Sequence, residues 1–262
     1  MVTTVENRVG PLLRDWRQRR RLSQLDLALE AGVSTRHLSF VETGRSRPSP
    51  EMVLTLADQL EVPLRERNQL LLAAGYAPQY GARSLDDPEL ARIRDALGKL
   101  LAGHEPYPAF AVDRHWNMQM SNTALGPLLE GVADELLVPP VNCLRVALHP
   151  DGLAPRILNL GDWRGHLLMR LGRELQLTGD PELEALHEEL LGYPGPISDT
   201  APEATAIMVE LRLAAPGGGE LAFFSTITTF GTSSDVTVSE LSVEAFFPAD
   251  EETARRLRES GH

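Results

Sequence analysis

SQLDLALEAGVSTRHLSFVETG, residues 23–44, decides the fold of the first third of the chain. Ser23 is placed to cap a helix along which Leu25, Ala28 and Leu29 recur at helical spacing. Gly32 ends that helix, because glycine accepts a left-handed backbone that a Cβ resists. Ser34 caps the next helix, which runs to Gly44. The two can cross closely only if Ala28 is small and Gly32 bare, with Leu25, Val33, Leu38 and Val41 filling the gap. The pattern is a helix-turn-helix, whose second helix projects into a DNA major groove about 12 Å wide.

Working outward, Val9, Leu12, Leu13 and Trp16 mark a preceding helix that carries Arg17, Arg19, Arg20 and Arg21. Downstream, Ser49-Pro50 is a cap-then-proline start for a helix through Met52, Val53, Leu56, Ala57 and Leu60. Pro63 opens a fifth through Leu70, Leu71 and Leu72 to Gly75. Residues 6–75 therefore read as an all-α, five-helix DNA-binding domain. With Leu38 and Val41 turned inward, Arg36, Ser39 and Phe40 fall on the opposite side, with Thr35 at the tip. Arg36 suits bidentate bonds to guanine, Thr35 and Ser39 a base or phosphate, and Phe40 a thymine methyl. Gln24 at its helix N-terminus, and Arg45 and Arg47 past the reading helix, suit phosphate. His37 reads as packing. Glu42 reads as structural, with Arg17 one possible partner, since a carboxylate facing phosphates would repel them.

The formal charge of −12 argues against nucleic acid until it is divided along the chain. Through Arg83 there are 12 arginines against 9 acidic residues; the remainder holds 13 basic and 28 acidic ones. A basic end can meet phosphate while an acidic remainder opposes indiscriminate coating of DNA. No apolar run approaches the roughly 18–20 residues that span a bilayer, and the N-terminus lacks the layout of a secretory signal. One cysteine, Cys143, excludes an internal disulfide and reads as apolar filler. The expectation is a cytoplasmic protein without membrane attachment.

Residues 76–88, YAPQYGARSLDDP, are turn-rich and read as a linker to a second domain over 89–262. A helix is expected from about Pro88 to Gly103, then a strand pair in AFAVDRHWNMQMSN (109–122) turning near Arg114–His115. Further helices are expected from Thr123 to Glu130, over 142–148 and 164–177, and after Asp180-Pro181. Period-two alternation predicts strands over Thr205–Leu213, in LAFFSTITTF (221–230) and at 239–247, the last with Leu241, Val243 and Ala245 inward. A short helix follows Ala249-Asp250. The whole is an α+β module with a small antiparallel sheet covered on one face.

Residues 8–60 resemble the lambda-repressor-like, xenobiotic-response-element class of regulators. PLRERNQLLLAAGYAP, with DRHWNMQMSN, VNCLRVALHP and ELAFFSTITTFGTSSDVTVSELSVEAFFPAD, is similar more narrowly to the MmyB-like regulators. That resemblance implies a PAS-like sensor domain and a fatty-acid-like ligand.

The residues themselves show no catalytic set and no metal spacing among His104, His115, His149, His166, His187 and Cys143, so neither enzyme chemistry, metal nor cofactor is expected. Trp116, Met118, Leu144, Leu148, Leu168, Leu171, Phe223, Ile227 and Phe246 are more large apolar groups than a small sheet needs, and suit a pocket. Arg145 suits a ligand carboxylate. Ordinary core packing and ion pairing are the alternative for each of these. A homodimer on duplex DNA is expected, because one short helix reads few bases. The other reading of the distal domain is a module that only dimerises or docks a protein partner.

Overall fold

The computed structural model describes residues 8–198, 209–215, 218–231 and 233–260. They fall into two compact units, residues 1–84 with 232–239, and residues 85–231 with 240–262.

In the first unit, α1 (Val9–Arg19), α2 (Gln24–Glu30), α3 (Thr35–Glu42), α4 (Pro50–Gln59) and α5 (Leu64–Ala73) pack on one core. Ser23, Ser34 and Ser49 cap α2, α3 and α4 by accepting backbone N–H groups of Asp26, His37 and Met52. Asp26 returns the bond to the Ser23 N–H, completing a capping box. Gly32 takes φ +66° between α2 and α3, as the turn requires. The expected apolar side of α2 is rotated. Leu27 and Ala28 are buried, whereas Leu25 and Leu29 are 56% and 72% exposed. A helix of seven residues makes only two turns, so three leucines at alternate positions do not fix which side faces in.

The second unit begins with α6 (Ala91–Ala102), then β1 (Ala109–Val112) and β2 (Met118–Ser121). A 3₁₀ helix over Thr123–Leu129, α7 (Cys143–Leu148), α8 (Leu160–Thr178) and α9 (Pro181–Leu191) follow. Then come β3 (Leu211–Ala214), β4 (Glu220–Thr229), β5 (Ser242–Pro248) and α11 (Glu251–Ser260), while α10 (Val236–Ser239), between β4 and β5 in sequence, belongs to the first unit. The sheet is antiparallel throughout, in the order β2-β1-β5-β4-β3. This is the α+β arrangement with a small antiparallel sheet that the sequence leads one to expect. The strand expected over Thr205–Leu213 is described only from Leu211; residues 205–208 lie outside the described residues.

The sheet is covered on both faces rather than one. Ala109, Ala111, Leu241 and Val243 pack with Leu97 and Leu101 of α6, as the inward side read from the sequence requires. The alternate residues Phe110, Val112 and Phe246 join Leu211, Leu213 and Phe223 in a larger core that meets α7, α8 and α9. The short apolar strands carry buried groups on both sides, the mark of an interior sheet.

Residues 76–84 are tied into the first unit rather than forming a free linker. The Tyr76 hydroxyl donates to the Pro48 carbonyl, and Asn68 holds the backbone of Gln79 and Tyr80. The β4–β5 connection also belongs to this unit. The Val236 N–H donates to the Gly81 carbonyl at 2.7 Å, the Thr237 hydroxyl to the Arg83 carbonyl at 2.5 Å, and Arg83 pairs with Asp235 at 3.1 Å. Val236 and Val238 are buried there. This clasp has no periodic signature, because it is built from residues about 150 positions apart in sequence.

Candidate functional site

The inner side of α3 is Leu38, Val41 and Glu42, all buried. Arg17 donates to the Glu42 carboxylate through Nε at 2.7 Å and a terminal nitrogen at 2.9 Å. Gln24 adds its amide N–H at 2.8 Å, and Arg17 also reaches the Leu22 carbonyl. Burial alone would raise the Glu42 carboxyl. Hydrogen bonds from Arg17 and Gln24, with the charges of Arg17 and Arg14, outweigh it and hold Glu42 below the usual carboxylate range. An ionised, sealed network thus joins α1, α2 and α3. Gly10 makes the same junction close: a Cβ there would stand 2.5 Å and 2.6 Å from the carbonyl oxygens of Val41 and Glu42.

The outer side of α3 is therefore held as one piece. Arg36 is exposed, and Thr35, Ser39 and Phe40 are half-buried. The guanidinium carbons of Arg36 and Arg45 lie 5.4 Å and 5.9 Å from the centre of the Phe40 ring. Cation–π attraction at these distances holds both guanidinium groups beside α3.

Two residues expected at phosphate already hold partners within the unit. Arg47 donates to the carbonyls of Ala74 and Gly75, at 3.0 Å and 3.2 Å, and lies over Tyr76. Its guanidinium satisfies carbonyls that the end of α5 leaves open, which a phosphate contact would compete for. The Gln24 amide nitrogen is committed to Glu42. Arg20, just past α1, likewise donates to the carbonyls of Leu60 and Glu61.

In the second unit a cavity of about 70 Å³ lies between the sheet, α7, α8 and the 3₁₀ helix. Trp116, Met118, Leu144 and Phe246, four of the expected residues, line it with Leu125, Leu128, Cys143, Trp163, Leu211 and Leu213. Leu148, Leu168, Leu171 and Phe223 belong to the surrounding core without lining it. Ile227 is 46% exposed on β4. Arg145 is also elsewhere. It grips Glu189 through Nε and a terminal nitrogen, at 2.9 Å and 2.7 Å, and the Tyr193 hydroxyl shares that carboxylate.

The polar group that does line the cavity is Glu244, 3% exposed, which sequence reading missed. Its position between Val243 and Ala245 reads as the solvent side of a strand, but the sheet has no solvent side there. Arg170 donates to Glu244 at 3.3 Å, and its guanidinium stacks 4.1 Å above the Trp116 ring. The Trp116 indole N–H donates to Glu174 at 2.9 Å. Burial raises the Glu174 carboxyl above its ordinary value, against the pull of Trp116 and Arg170. Trp116 itself takes φ +66°, a region bulky residues rarely enter. Its carbonyl accepts the Cys143 N–H, which fixes the start of α7 beside the cavity. Burial, with the charges of Glu244 and Asp113, pushes the Cys143 thiol up, so it lines the wall as a neutral group.

Among the described residues, no group of His, Cys, Asp and Glu is arranged to hold a metal ion. No helix among them is long and apolar enough to cross a membrane.

Comparison with known proteins supplies two family matches. Residues 13–67 match the helix-turn-helix family, and residues 93–259 match the MmyB-like transcription regulator ligand binding domain. Both bear out the resemblance read from the sequence. No curated protein matches the chain. Among solved structures, the PAS domain of BvgS from Bordetella pertussis is similar at 17% identity and a TM-score of 0.27, covering 65% of this chain and 97% of that one. An RNA-binding light-oxygen-voltage receptor is similar at 11% identity and a TM-score of 0.31, covering 95% of this chain and 62% of that one.

Proposed function

The chain belongs to the MmyB-like transcription regulators, and from that premise we propose a cytoplasmic homodimer that reads specific duplex DNA and senses a fatty-acid-like molecule. The observation that carries DNA reading is the outer side of α3. Arg36, Phe40 and Arg45 form a cationic, aromatic edge on a helix whose inner side is locked by Glu42. Arg36 bonds base edges, Thr35 and Ser39 bond a base or phosphate, and Arg45 clamps the backbone. Two copies set their α3 helices into half-sites about 34 Å apart.

The distal unit works by binding rather than catalysis. Its cavity is apolar apart from Glu244, and β5 supplies both Glu244 and Phe246. The connection that precedes β5 is the clasp at Gly81–Ser84, within the DNA-binding unit. A molecule that shifts β5 thereby pulls on Asp235 and Val236. It must favour one of the two arrangements to change DNA affinity at all.

The small cavity favours a second reading, in which the distal unit only dimerises or docks a partner. Fluorescence anisotropy of full-length protein on a selected duplex, titrated with dodecanoate, separates the two. An affinity change of fivefold or more supports sensing. Unchanged affinity, with dodecanoate bound by native mass spectrometry, leaves the docking reading.

A further inference from the structure

The 70 Å³ cavity is well below the roughly 300–1,000 Å³ of small-molecule sites. Beside it lies a cleft of about 440 Å³, lined by Ala124, Pro127, Glu130, Ala215, Arg256 and Glu259, with Leu128, Leu221 and Leu257 completing the wall. Leu128 lines both spaces.

The partition between them is one 3₁₀ helix thick. In that geometry residues three apart line up. Leu125 and Leu128 face the inner cavity, while Ala124, Pro127 and Glu130, at the same spacing, face the outer cleft. The floor beneath the helix is not divided. Leu211 and Leu213 of β3 line the cavity, and Ala215, next in the same alternation, lines the cleft. Leu221, the register partner of Leu213, extends that floor across to β4. Arg156 holds the frame of the partition by donating to the carbonyls of Leu128 and Glu130, so the leucine side chain is the part that closes the path.

We propose that cavity and cleft are two ends of one site for a single-chain amphiphile, passing under Leu128 with its chain inward and its head at Arg256. The orientation follows from the two linings. The inner end is apolar apart from Glu244, which Arg170 already engages, so it offers an anionic head no free donor, whereas the outer end carries Arg256. At the outer end Arg256 bonds Glu252 and the Gly218 carbonyl, both at 2.7 Å. Glu259, also on that wall, is held by Arg255, and Glu130 lines the same cleft. A carboxylate head reaches Arg256 by replacing the Gly218 carbonyl, a neutral acceptor, with a charged one. This rests on the sensor reading and replaces Arg145 with Arg256 as the group that meets the head.

The test is calorimetry on the full chain with octanoate, dodecanoate, tetradecanoate and dodecanol. Wild type gains about fourfold in affinity per added methylene across the acid series as the chain enters the inner end. Arg256→Gln weakens dodecanoate at least tenfold and dodecanol less than twofold. Ala147, on α7, also lines the inner cavity; Ala147→Met, which fills that end, weakens tetradecanoate at least tenfold and leaves octanoate within twofold, so retained octanoate binding verifies the fold. Arg256→Gln without effect on dodecanoate, or Ala147→Met without effect on the chain-length trend, overturns the joined site and leaves sensing intact. Wild type that binds none of the four overturns both.

Discussion

Arg17 of α1 and Glu42 of α3 meet at 2.7 Å across 25 residues of sequence, with side chains only 10% and 2% exposed. The pair fixes the side that α3 turns inward. A buried ion pair does not by itself outdo an apolar one, but removing one partner strands the other. Glu42→Gln should therefore lower unfolding free energy by about 3 kcal/mol in urea titrations, and Arg17→Met with Glu42→Leu should recover most of it.

The same carboxyl predicts a pH dependence. Its folded value lies below its unfolded one, so its contribution is whole above the unfolded value of about 4.3 and fades as pH falls through the folded one. Urea midpoints measured from pH 7 to pH 3 should show the wild-type advantage over Glu42→Gln shrinking below about pH 4. A constant difference over that range would mean the carboxylate contributes nothing as an anion.

Gly10→Ala should destabilise by about 2 kcal/mol or more, because the added carbon meets backbone carbonyls of α3 that have no room to yield. Thermal denaturation reads this directly. Gly126→Ala is the comparison, since a Cβ there meets nothing within 4 Å.

On DNA, Arg36 and Arg45 should part company. Arg36→Ala loses about 1–3 kcal/mol of discrimination at one base position, while Arg45→Ala weakens all sequences alike and lowers the salt slope by about one. Arg47→Ala should act on stability instead, since its guanidinium serves the carbonyls of Ala74 and Gly75.

Much of this was legible in the sequence where the signal is local. Serine caps, Gly32 and the spacing of Leu38 and Val41 placed α3, and the burden of a carboxylate near phosphate pointed Glu42 inward to Arg17. What was not legible shares a cause. The partners of Arg47, Gln24 and Arg145, namely Ala74, Glu42 and Glu189, are 18 to 44 residues away, so no local pattern names them. Glu244 read as solvated because strand alternation does not reveal that both faces are covered. Leu25 misled because a two-turn helix carries too few positions to fix its orientation. The clasp at Asp235 had no signal at all.

That clasp predicts separable functions. Asp235→Ala should leave dodecanoate affinity within twofold of wild type, yet reduce the effect of dodecanoate on DNA affinity severalfold. Anisotropy and calorimetry on the same preparation measure both. A full DNA response in the variant would place the coupling elsewhere.

The central claim, that the outer side of α3 reads duplex DNA, is tested most directly by binding selection from random duplexes with full-length wild type and Arg36→Ala. Wild type should select a motif of two related half-sites, with one position in each flattened by the substitution. No enriched sequence for wild type, or an identical motif for both proteins, would contradict it.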